Sequence, residues 1–390
     1  MKKLFYIFAI VAFTLVSCDK NDNLLETNIE PKKATANAEE VVLANAEKTI
    51  QLQNDILAKA ESFLEKKNIK ANVGGIQRVK MLSSADETAI IEKLDSLTNV
   101  FKDQRPEAVE RLFDENNVPS GLAENDQYII VGDDNMIDKA DPDNALMLSN
   151  IVRVSKGMEP IEENSQKVKS IFKSPTGFTT SDDKRWDGGE VPYQFDSNIT
   201  ETERTFIRTS YNDWNTKTSG KVRFSEVSDN WWNNFCYALG FKKFIKIKKE
   251  NLDAGVAGQA NGCGKSAWAT IKYSPNWINN YRTVVHEMGH KLGLQHEHQR
   301  PDRDNFLRVN MTGSQYDKIE EKYARFLWWR WKTRSVTYSS TYDYMSIMHY
   351  QNFWNNSINN TWFSSLTGGS ISTGGQTISN TDAEFVKSIY

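Results

Sequence analysis

Apolar residues in the first half of the chain recur at helical spacing. Between residues 39 and 67 they return near every seventh position, as expected for one face of an amphipathic helix. The members of this face are Val42, Ile50, Leu57 and Leu64. A second helical face begins at Ile90 and continues with Leu94 and Leu97. We therefore predict a mainly helical N-terminal part, with one short apolar strand starting at Tyr128.

The pattern changes near residue 184 to short strands that alternate with helices. Strands are predicted at residues 191–196, 222–227, 244–248 and 267–273. Two capping boxes mark the starts of helices, and they pair Thr200 with Glu203 and Ser379 with Asp382. This order predicts an α+β fold in which helices pack on a mixed sheet. We expect residues 267–273 to form the edge of a cleft, where an extended peptide could be added as a further strand.

The composition changes at the same place. The chain has 390 residues, which is enough for two or three domains, and all 11 Trp and all 5 His lie after residue 184. The formal net charge is −3 and there is no block of basic residues. Nucleic acid is therefore not an expected partner.

The first residues resemble a bacterial export signal. Lys2 and Lys3 precede an apolar run, residues 4–16, that is too short to span a membrane. The run ends in Leu-Val-Ser-Cys, which resembles a lipoprotein signal that is cleaved before Cys18 and acylated on that thiol. The alternative is an ordinary signal peptide followed by a chance cysteine. Both predict an exported protein, and the first also predicts a membrane anchor on Cys18 with residues 19–35 as a disordered tether.

Two further cysteines, Cys236 and Cys263, follow in the second half of the chain. An even pair in an exported protein suggests a disulfide, and two unpaired buried thiols are the alternative. Neither cysteine has the sequence spacing of a zinc site. We therefore predict a bond between Cys236 and Cys263, with no role for either in metal binding.

The stretch from His286 to His296 carries the strongest chemical signal. His286 and His290 are four residues apart, so on a helix both side chains point the same way and can hold one metal ion. Gly293 can adopt a left-handed conformation, end the helix and turn the chain so that His296 becomes a third ligand. Three neutral nitrogens around Zn²⁺ leave a position for water, which is the catalytic arrangement. Glu287 can accept a proton from that water.

The residues around this motif resemble the astacin family of metzincin zinc metalloproteases. Glu297 directly follows the third histidine, and residues 300–304 are Arg-Pro-Asp-Arg-Asp, as in the extended signature of that family. Residues 346–350 resemble its Met-turn, and residues 186–193 resemble the start of its catalytic domain. The resemblance covers about residues 184–390. It implies a metzincin fold with a mixed sheet of the five-strand type and an active-site helix.

The resemblance also implies how the metal is held. One zinc ion would be bound by His286, His290 and His296, with Tyr350 as an additional ligand. Tyr350 would swing away during the reaction and stabilise the oxyanion. Glu287 would be the general base.

Three further roles follow from the same resemblance. Met348 would form the hydrophobic floor under the metal, and Glu297 would contact the new amino terminus once the pro-segment is removed. Astacin pro-segments are often held by an aspartate that replaces the catalytic water on zinc, within a short Gly-Asp motif. Residues 131–133 resemble that motif, so Asp133 is the candidate switch; a plain Gly-Asp turn is the alternative.

The sequence therefore predicts three regions: a signal peptide at residues 1–17, a tether and pro-segment at 18–183, and an astacin-like catalytic domain at 184–390. The expected function is zinc-dependent hydrolysis of protein or peptide substrates by a zymogen that its own pro-segment inhibits. One alternative is an exported binding or adhesion lipoprotein with a structural metal site. A second alternative is a zincin with a single narrow glycoprotein substrate. The N-terminal part could also be a spacer or a binding domain.

Overall fold

A computed structural model describes most of the chain from residue 37 onward. The described residues are 37–78, 82–118, 122–131, 135–158, 161, 185–253, 255–261, 264–300, 302–310, 342–352 and 362–390. Five predicted features lie outside them: the signal peptide, the acylated Cys18, the tether at residues 19–35, the candidate switch Asp133 and the cysteine Cys263.

The described part of the chain contains seven α-helices. They are α1 (Ala38–Glu65), α2 (Ser84–Gln104), α3 (Ala145–Ser155), α4 (Glu201–Lys217), α5 (Trp231–Ala238), α6 (Tyr281–Lys291) and α7 (Asn380–Ile389). The helix predicted at residues 39–67 is α1, and the predicted face of α2 is buried at Ile90, Leu94 and Leu97. None of these helices combines the length and the apolar composition that a bilayer-spanning segment requires.

Both predicted capping boxes are present. At the start of α4, the backbone N–H of Thr200 donates to Glu203 Oε2 over 2.8 Å, while Glu203 N donates to Thr200 Oγ1. At the start of α7, Ser379 and Asp382 exchange the same pair of bonds. Each box satisfies backbone donors that have no partner within the helix, so these two helix starts are fixed by local sequence.

Twelve strands occur in the described residues. The N-terminal part contributes β1 (Ile69–Asn72), β2 (Gly75–Arg78), β3 (Leu122–Glu124), β4 (Tyr128–Val131) and β5 (Asn135–Asp138). The C-terminal part contributes β6 (Glu190–Phe195), β7 (Arg223–Glu226), β8 (Ile245–Lys249), β9 (Gly258–Asn261), β10 (Thr270–Tyr273), β11 (Leu307–Val309) and β12 (Phe363–Ser365). The N-terminal part is therefore less purely helical than its sequence pattern predicts.

Five strands of the C-terminal part form the predicted mixed sheet, in the order β9-β10-β8-β6-β7. The pairs β10–β8, β8–β6 and β6–β7 are parallel, and β9 runs antiparallel to β10. Helices α4 and α6 pack on this sheet through one apolar cluster. Two polar contacts lie inside the cluster. Trp214 Nε1 donates to Val285 O over 3.0 Å, and the hydroxyls of Tyr211 and Tyr273 are 3.1 Å apart.

The expectation that residues 267–273 form the edge of the cleft is wrong. Those residues contain β10, and β9 lies outside it at the edge of the five-strand set. The sequence of β9, Gly-Gln-Ala-Asn, has no apolar alternation, and so the period-2 pattern that predicts strands is absent there.

The outer side of β9 is occupied by the N-terminal part of the same chain. Strand β5 pairs with β9 in parallel, with Asn135 opposite Ala260 and Met136 opposite Asn261. Strands β4 and β3 continue outward from β5, so that one sheet of eight strands extends through both parts of the chain. The outer side of β9 is thus covered by β5.

The predicted disulfide is not formed in the structure, which has Cys236 as a buried free thiol. Cys236 lies on α5 and points into an apolar cluster with side chains of α1 and α2, among them Ile56 and Leu94. This burial raises the pKa of the Cys236 thiol to about 12, so that the neutral form is retained. The direction of the Cys236 side chain is set by packing between the two parts of the chain, which its sequence spacing does not show.

Candidate metal centre

Helix α6 presents two of the predicted ligands. Its first turn is capped by the side chain of Asn280, which accepts a hydrogen bond from Thr283 N over 3.0 Å. His286 and His290 then lie one turn apart on the same face and are both buried. The sequence of α6 therefore places two imidazoles side by side without help from the rest of the fold.

The third imidazole depends on the end of this helix. Gly293 adopts φ +97°, a left-handed conformation that residues with a Cβ rarely adopt. The next residue donates its N–H to Gly289 O over 3.0 Å, which closes the last turn. The chain then reverses and brings His296 back to α6. Gly293 has the role that the sequence predicts.

The three rings converge on one point. Their centroids are 4.9 Å apart for His286 and His290, 5.2 Å for His286 and His296, and 4.8 Å for His290 and His296. Their ligand atoms all lie within 4.8 Å of one another, and the Nε2 atoms of His286 and His296 are 3.3 Å apart. No other group of this kind is found among the described residues.

The hydrogen bonds of the other ring nitrogens set the protonation of the site. His286 Nδ1 lies 2.9 Å from Ile347 O, and His290 Nδ1 lies 3.0 Å from Leu294 O. A carbonyl oxygen can only accept, so each of these Nδ1 atoms carries the proton. His296 Nδ1 is 3.0 Å from Gln299 Oε1 and fits the same tautomer. Each Nε2 therefore has a lone pair for a metal, and a donor set of three neutral imidazoles fits Zn²⁺.

Glu287 is buried against the edge strand β9. A Cβ placed at Gly258 would lie 2.8 Å from Glu287 Cγ and 2.9 Å from its Oε1. Only a residue without a side chain allows β9 to approach this carboxylate so closely. Lys291, at the end of α6, also binds this strand, because its ammonium donates to the backbone and side-chain oxygens of Asn261.

Met348 lies directly beneath the metal helix. A Cβ at Gly289 would be 2.5 Å from Met348 Sδ, so the helix has a glycine where this methionine packs. Asp382 fixes the turn that carries Met348, because its carboxylate accepts from Ser346 Oγ over 2.6 Å and from Ile347 N over 2.8 Å. Ile347 O is in turn the acceptor for His286, so Asp382 orients a ligand through one intervening residue. The sequence identifies Asp382 only as a helix cap.

Tyr350 lies beside the third histidine. Its ring centroid is 4.8 Å from that of His296 and 4.2 Å from that of His298. The backbone N–H of Tyr350 donates to His298 Nδ1 over 3.3 Å, which ties the two residues together. His298 was not singled out by the sequence motif, although it is only two residues from the third ligand.

A further buried histidine, His349, is held as a neutral ring. Its Nε2 lies 2.8 Å from the hydroxyl of Tyr342, and its Nδ1 lies 2.7 Å from Tyr350 O. Since the carbonyl must accept, Nδ1 carries the proton and Nε2 accepts from the tyrosine. Burial lowers the pKa of His349 to about 3.

Glu297 is half-buried and paired. Its Oε1 lies 2.7 Å from Arg300 Nη1 and accepts from Asp343 N over 2.9 Å. Burial raises the pKa of Glu297 to about 7, although the neighbouring Arg300 favours the charged form. This carboxylate is thus a half-buried partner of Arg300.

The site has the arrangement that is typical of zinc peptidases: two histidines one turn apart on a helix, a third from the following loop and a carboxylate beside the first. A sequence model of the astacin peptidase family matches residues 178–390. The chain belongs to the astacin family, whose metal is zinc, and the predicted metzincin fold is confirmed.

Individual relatives agree with this assignment. Zinc metalloproteinase nas-14 of Caenorhabditis elegans is 28% identical over 194 residues, which are 49% of this chain and 34% of that protein. Tolloid-like protein 1 of Homo sapiens is 30% identical over 203 residues, which are 50% of this chain and 17% of that protein. The chain thus spans about a third or less of the length of these two curated relatives.

Solved structures are also similar to part of this chain. High choriolytic enzyme 1, a hatching enzyme zinc-protease from Oryzias latipes (medaka fish), matches with 20% identity and a TM-score of 0.40 over 53% of this chain and 94% of that one. Myroilysin matches with 20% identity and a TM-score of 0.34 over 53% of this chain and 96% of that one.

The neutral state of His349 predicts a pH dependence of stability. Its folded pKa of about 3 is below the ordinary value of 6.5, so only the unfolded chain takes up this proton between those values. The contribution of His349 to the free energy of unfolding is therefore at its full value above pH 6.5. As the pH falls below 6.5, this contribution decreases by at most about 1.4 kcal/mol per pH unit. His349→Gln preserves a donor and an acceptor but does not titrate, and it should reduce this slope. Urea unfolding between pH 4.5 and 6.5 measures the difference, and equal slopes in the two proteins would contradict the assignment.

Proposed function

We propose that this protein is a zinc-dependent endopeptidase that is made as a zymogen. One observation carries the proposal: three converging imidazole nitrogens lie next to a buried carboxylate, and this carboxylate contacts β9, the outer strand of the five-strand set. A metal site with a purely structural role needs no carboxylate at that position. Once β5 is displaced, β9 would offer backbone groups with which an extended peptide can pair.

Glu287 is the proposed general base. Zinc, when bound, is a Lewis acid that lowers the pKa of water from about 15.7 toward about 7. Glu287 accepts the proton that this water loses and then donates it to the amine of the leaving peptide. Its burial against Gly258 holds the carboxylate in one position, so no reorganisation is needed at the moment of proton transfer.

Tyr350 is proposed as the additional ligand and as the donor that stabilises the oxyanion. The contact of its ring with His296 supports this role, since that contact holds the phenol beside the ligand set. His298 supports it further by binding the backbone of Tyr350. A single donor of this kind contributes about 3 kcal/mol to the stability of the transition state.

The zymogen part of the proposal rests on the pairing of β5 with β9. This pairing occupies the backbone groups of β9 on the side where a substrate would be added. Asp133 is the proposed residue that blocks zinc. The flanking residues support this choice: Asn135 pairs with Ala260, two residues from the glycine that contacts the general base.

Activation is proposed to occur by cleavage before the catalytic domain, at residues 184–390, with Glu297 then contacting the new amino terminus. The beginning of this domain is already anchored under the metal helix, since Trp186 Nε1 donates to Lys291 O over 2.7 Å. Arg185 is fixed as well, because its Nη1 donates to Ile389 O over 2.7 Å. Export and a lipid anchor on Cys18 are proposed from the sequence pattern alone.

Glu287→Gln tests the general base. The amide has the same shape but cannot accept the proton, so we expect the hydrolysis rate of the activated enzyme to fall by about 10²–10⁴-fold. Zinc content, measured by atomic emission, should remain at one ion per chain. Glu384→Gln, on the exposed side of α7, is the matched control and should retain activity. An active Glu287→Gln enzyme would remove the proposed base.

Gly258→Ala tests the contact between the edge strand and the base. The added methyl group would overlap Glu287, so we expect kcat of the activated enzyme to fall by about 10²-fold while zinc is retained. Gly369→Ala is the control, because the nearest atom to its Cβ is a serine hydroxyl 3.2 Å away in an exposed turn. Equal kcat values for both variants and the parent would show that this contact does not position the base.

Asp133→Asn tests the switch. If the carboxylate blocks zinc, its replacement by a neutral amide should make the uncut chain hydrolyse a fluorogenic peptide, while the parent remains silent. Asp134→Asn changes the neighbouring residue in the same way and should stay silent. A gel of each reaction verifies that the chain is still uncut. Silence of both variants would mean that another residue blocks the metal.

A further inference from the structure

We propose that residues 37–158 remain bound to the catalytic domain as a non-covalent inhibitor after the connecting chain is cut. Cleavage alone would then not release activity, and a second step would have to dissociate or digest the N-terminal fragment. This inference rests on the proposed zymogen. It concerns the surface of the catalytic domain formed by α5, β9 and the segment around Ala267, here called the α5 surface.

The apolar core of the α5 surface is shared between the two parts of the chain. The catalytic domain contributes three side chains of α5 and that of the following residue to one buried cluster. They are Trp232, Phe235, Cys236 and Leu239. The N-terminal part supplies the others, which include Ile56, Leu64, Ile90, Leu94 and Phe101. All of these residues are at most 3% exposed. Side chains from both parts therefore bury one another in this cluster.

Directional contacts surround this apolar core. Trp232 Nε1 donates to Asn72 O over 2.8 Å. Asp143 accepts from Ala267 N over 3.0 Å and forms an ion pair with Lys243. These bonds fix the orientation of the N-terminal part on the α5 surface.

Two further contacts join the two parts of the chain. The guanidinium of Arg105 lies 4.9 Å from the ring centroid of Trp268, a cation–π contact. The parallel pairing of β5 with β9 adds backbone hydrogen bonds beside the metal centre. The contact area therefore extends from α5 to the edge of the active site.

The N-terminal part also has a core of its own. A second cluster lies entirely within it and includes Val42, Leu43, Phe113, Ile129, Leu148 and Val152. A cut between residues 162 and 184 therefore interrupts neither this core nor any contact described above. The fragment would keep its fold and its position on the α5 surface.

An interface that resembles a domain core divided in two is typical of permanent complexes. Such complexes differ from transient ones mainly in their slow dissociation. The geometry therefore assigns the cut fragment as the partner of the α5 surface, and its retention would block β9 after the chain is no longer continuous.

The binding experiment uses the full chain with Glu287→Gln, so that self-digestion cannot occur. Residues 170–177 are replaced by the recognition sequence of a site-specific protease, and the protein is cut to completion. We expect both fragments to co-elute in size-exclusion chromatography as a 1:1 complex at micromolar concentration. Separate elution of the two fragments would overturn the proposal, and it would do so whether or not the protein is a peptidase.

A matched pair of variants tests which surface holds the fragment. Ile90 is fully buried in the shared cluster, whereas Ile91 is 38% exposed on the other side of α2. Ile90→Asp should release the cut fragment, and Ile91→Asp should leave it bound. Equal retention by both variants would contradict the α5 surface as the binding site. Circular dichroism of the uncut variants verifies that each is folded.

Activity measurements on the protein with intact Glu287 need no interface variant. After the cut, we expect hydrolysis of a short fluorogenic peptide to remain low at micromolar concentration. On hundredfold dilution, hydrolysis should rise after a lag, as the fragment dissociates; a gel verifies that the fragment is undigested. Full activity immediately after the cut at every concentration would refute retention while leaving the zymogen proposal intact. Activity of the uncut chain would instead refute the zymogen.

Discussion

The metal centre depends on one constraint: three imidazoles must each direct a lone pair to the same point. The structure meets it by binding the opposite nitrogen of every ring to an acceptor. The acceptors come from three different places, namely the turn before Met348, the loop after Gly293 and the side chain of Gln299. Each bond orients a ring, which is how partners of the second ring nitrogen support histidines that bind a metal.

Residues that do not bind the metal also help to orient the imidazoles. Asp382 caps the last helix and also binds Ser346 and the backbone of Ile347, whose carbonyl orients His286. The closing helix is therefore connected to a ligand through three hydrogen bonds, although nearly a hundred residues separate them in sequence. Burial raises the pKa of the Asp382 carboxyl, while its hydrogen bonds to Ser346 and Ile347 act in the opposite direction.

The N-terminal part supplies the binding partners that two surfaces of the catalytic part would otherwise lack. A strand edge leaves backbone donors and acceptors without partners, and an amphipathic helix such as α5 leaves an apolar face exposed. Strand β5 satisfies the first and helices α1 and α2 cover the second. The N-terminal part thus provides partners for both surfaces of the catalytic part.

Local sequence determined the features that involve neighbouring residues. The two capping boxes, the spacing of His286 and His290 and the turn at Gly293 need only backbone geometry and short-range hydrogen bonds. The amphipathic faces of α1 and α2 are visible for the same reason, because burial leaves a period of about 3.6 residues in the sequence. The family signature added the identity of the metal and the expected roles of Tyr350 and Met348.

Only the tertiary structure decided which groups meet across long distances. The edge strand β9 has no apolar alternation, so its position beside β10 and its contact with Glu287 through Gly258 had no local signal. Cys236 was expected in a disulfide, yet packing between α5 and the N-terminal helices directs it into an apolar cluster. The sequence pattern shows Asp382 as a helix cap and gives no sign that it also binds Ser346 and Ile347. Periodicity and motifs reflect the local environment of a residue. Its distant contacts depend on how the whole chain packs.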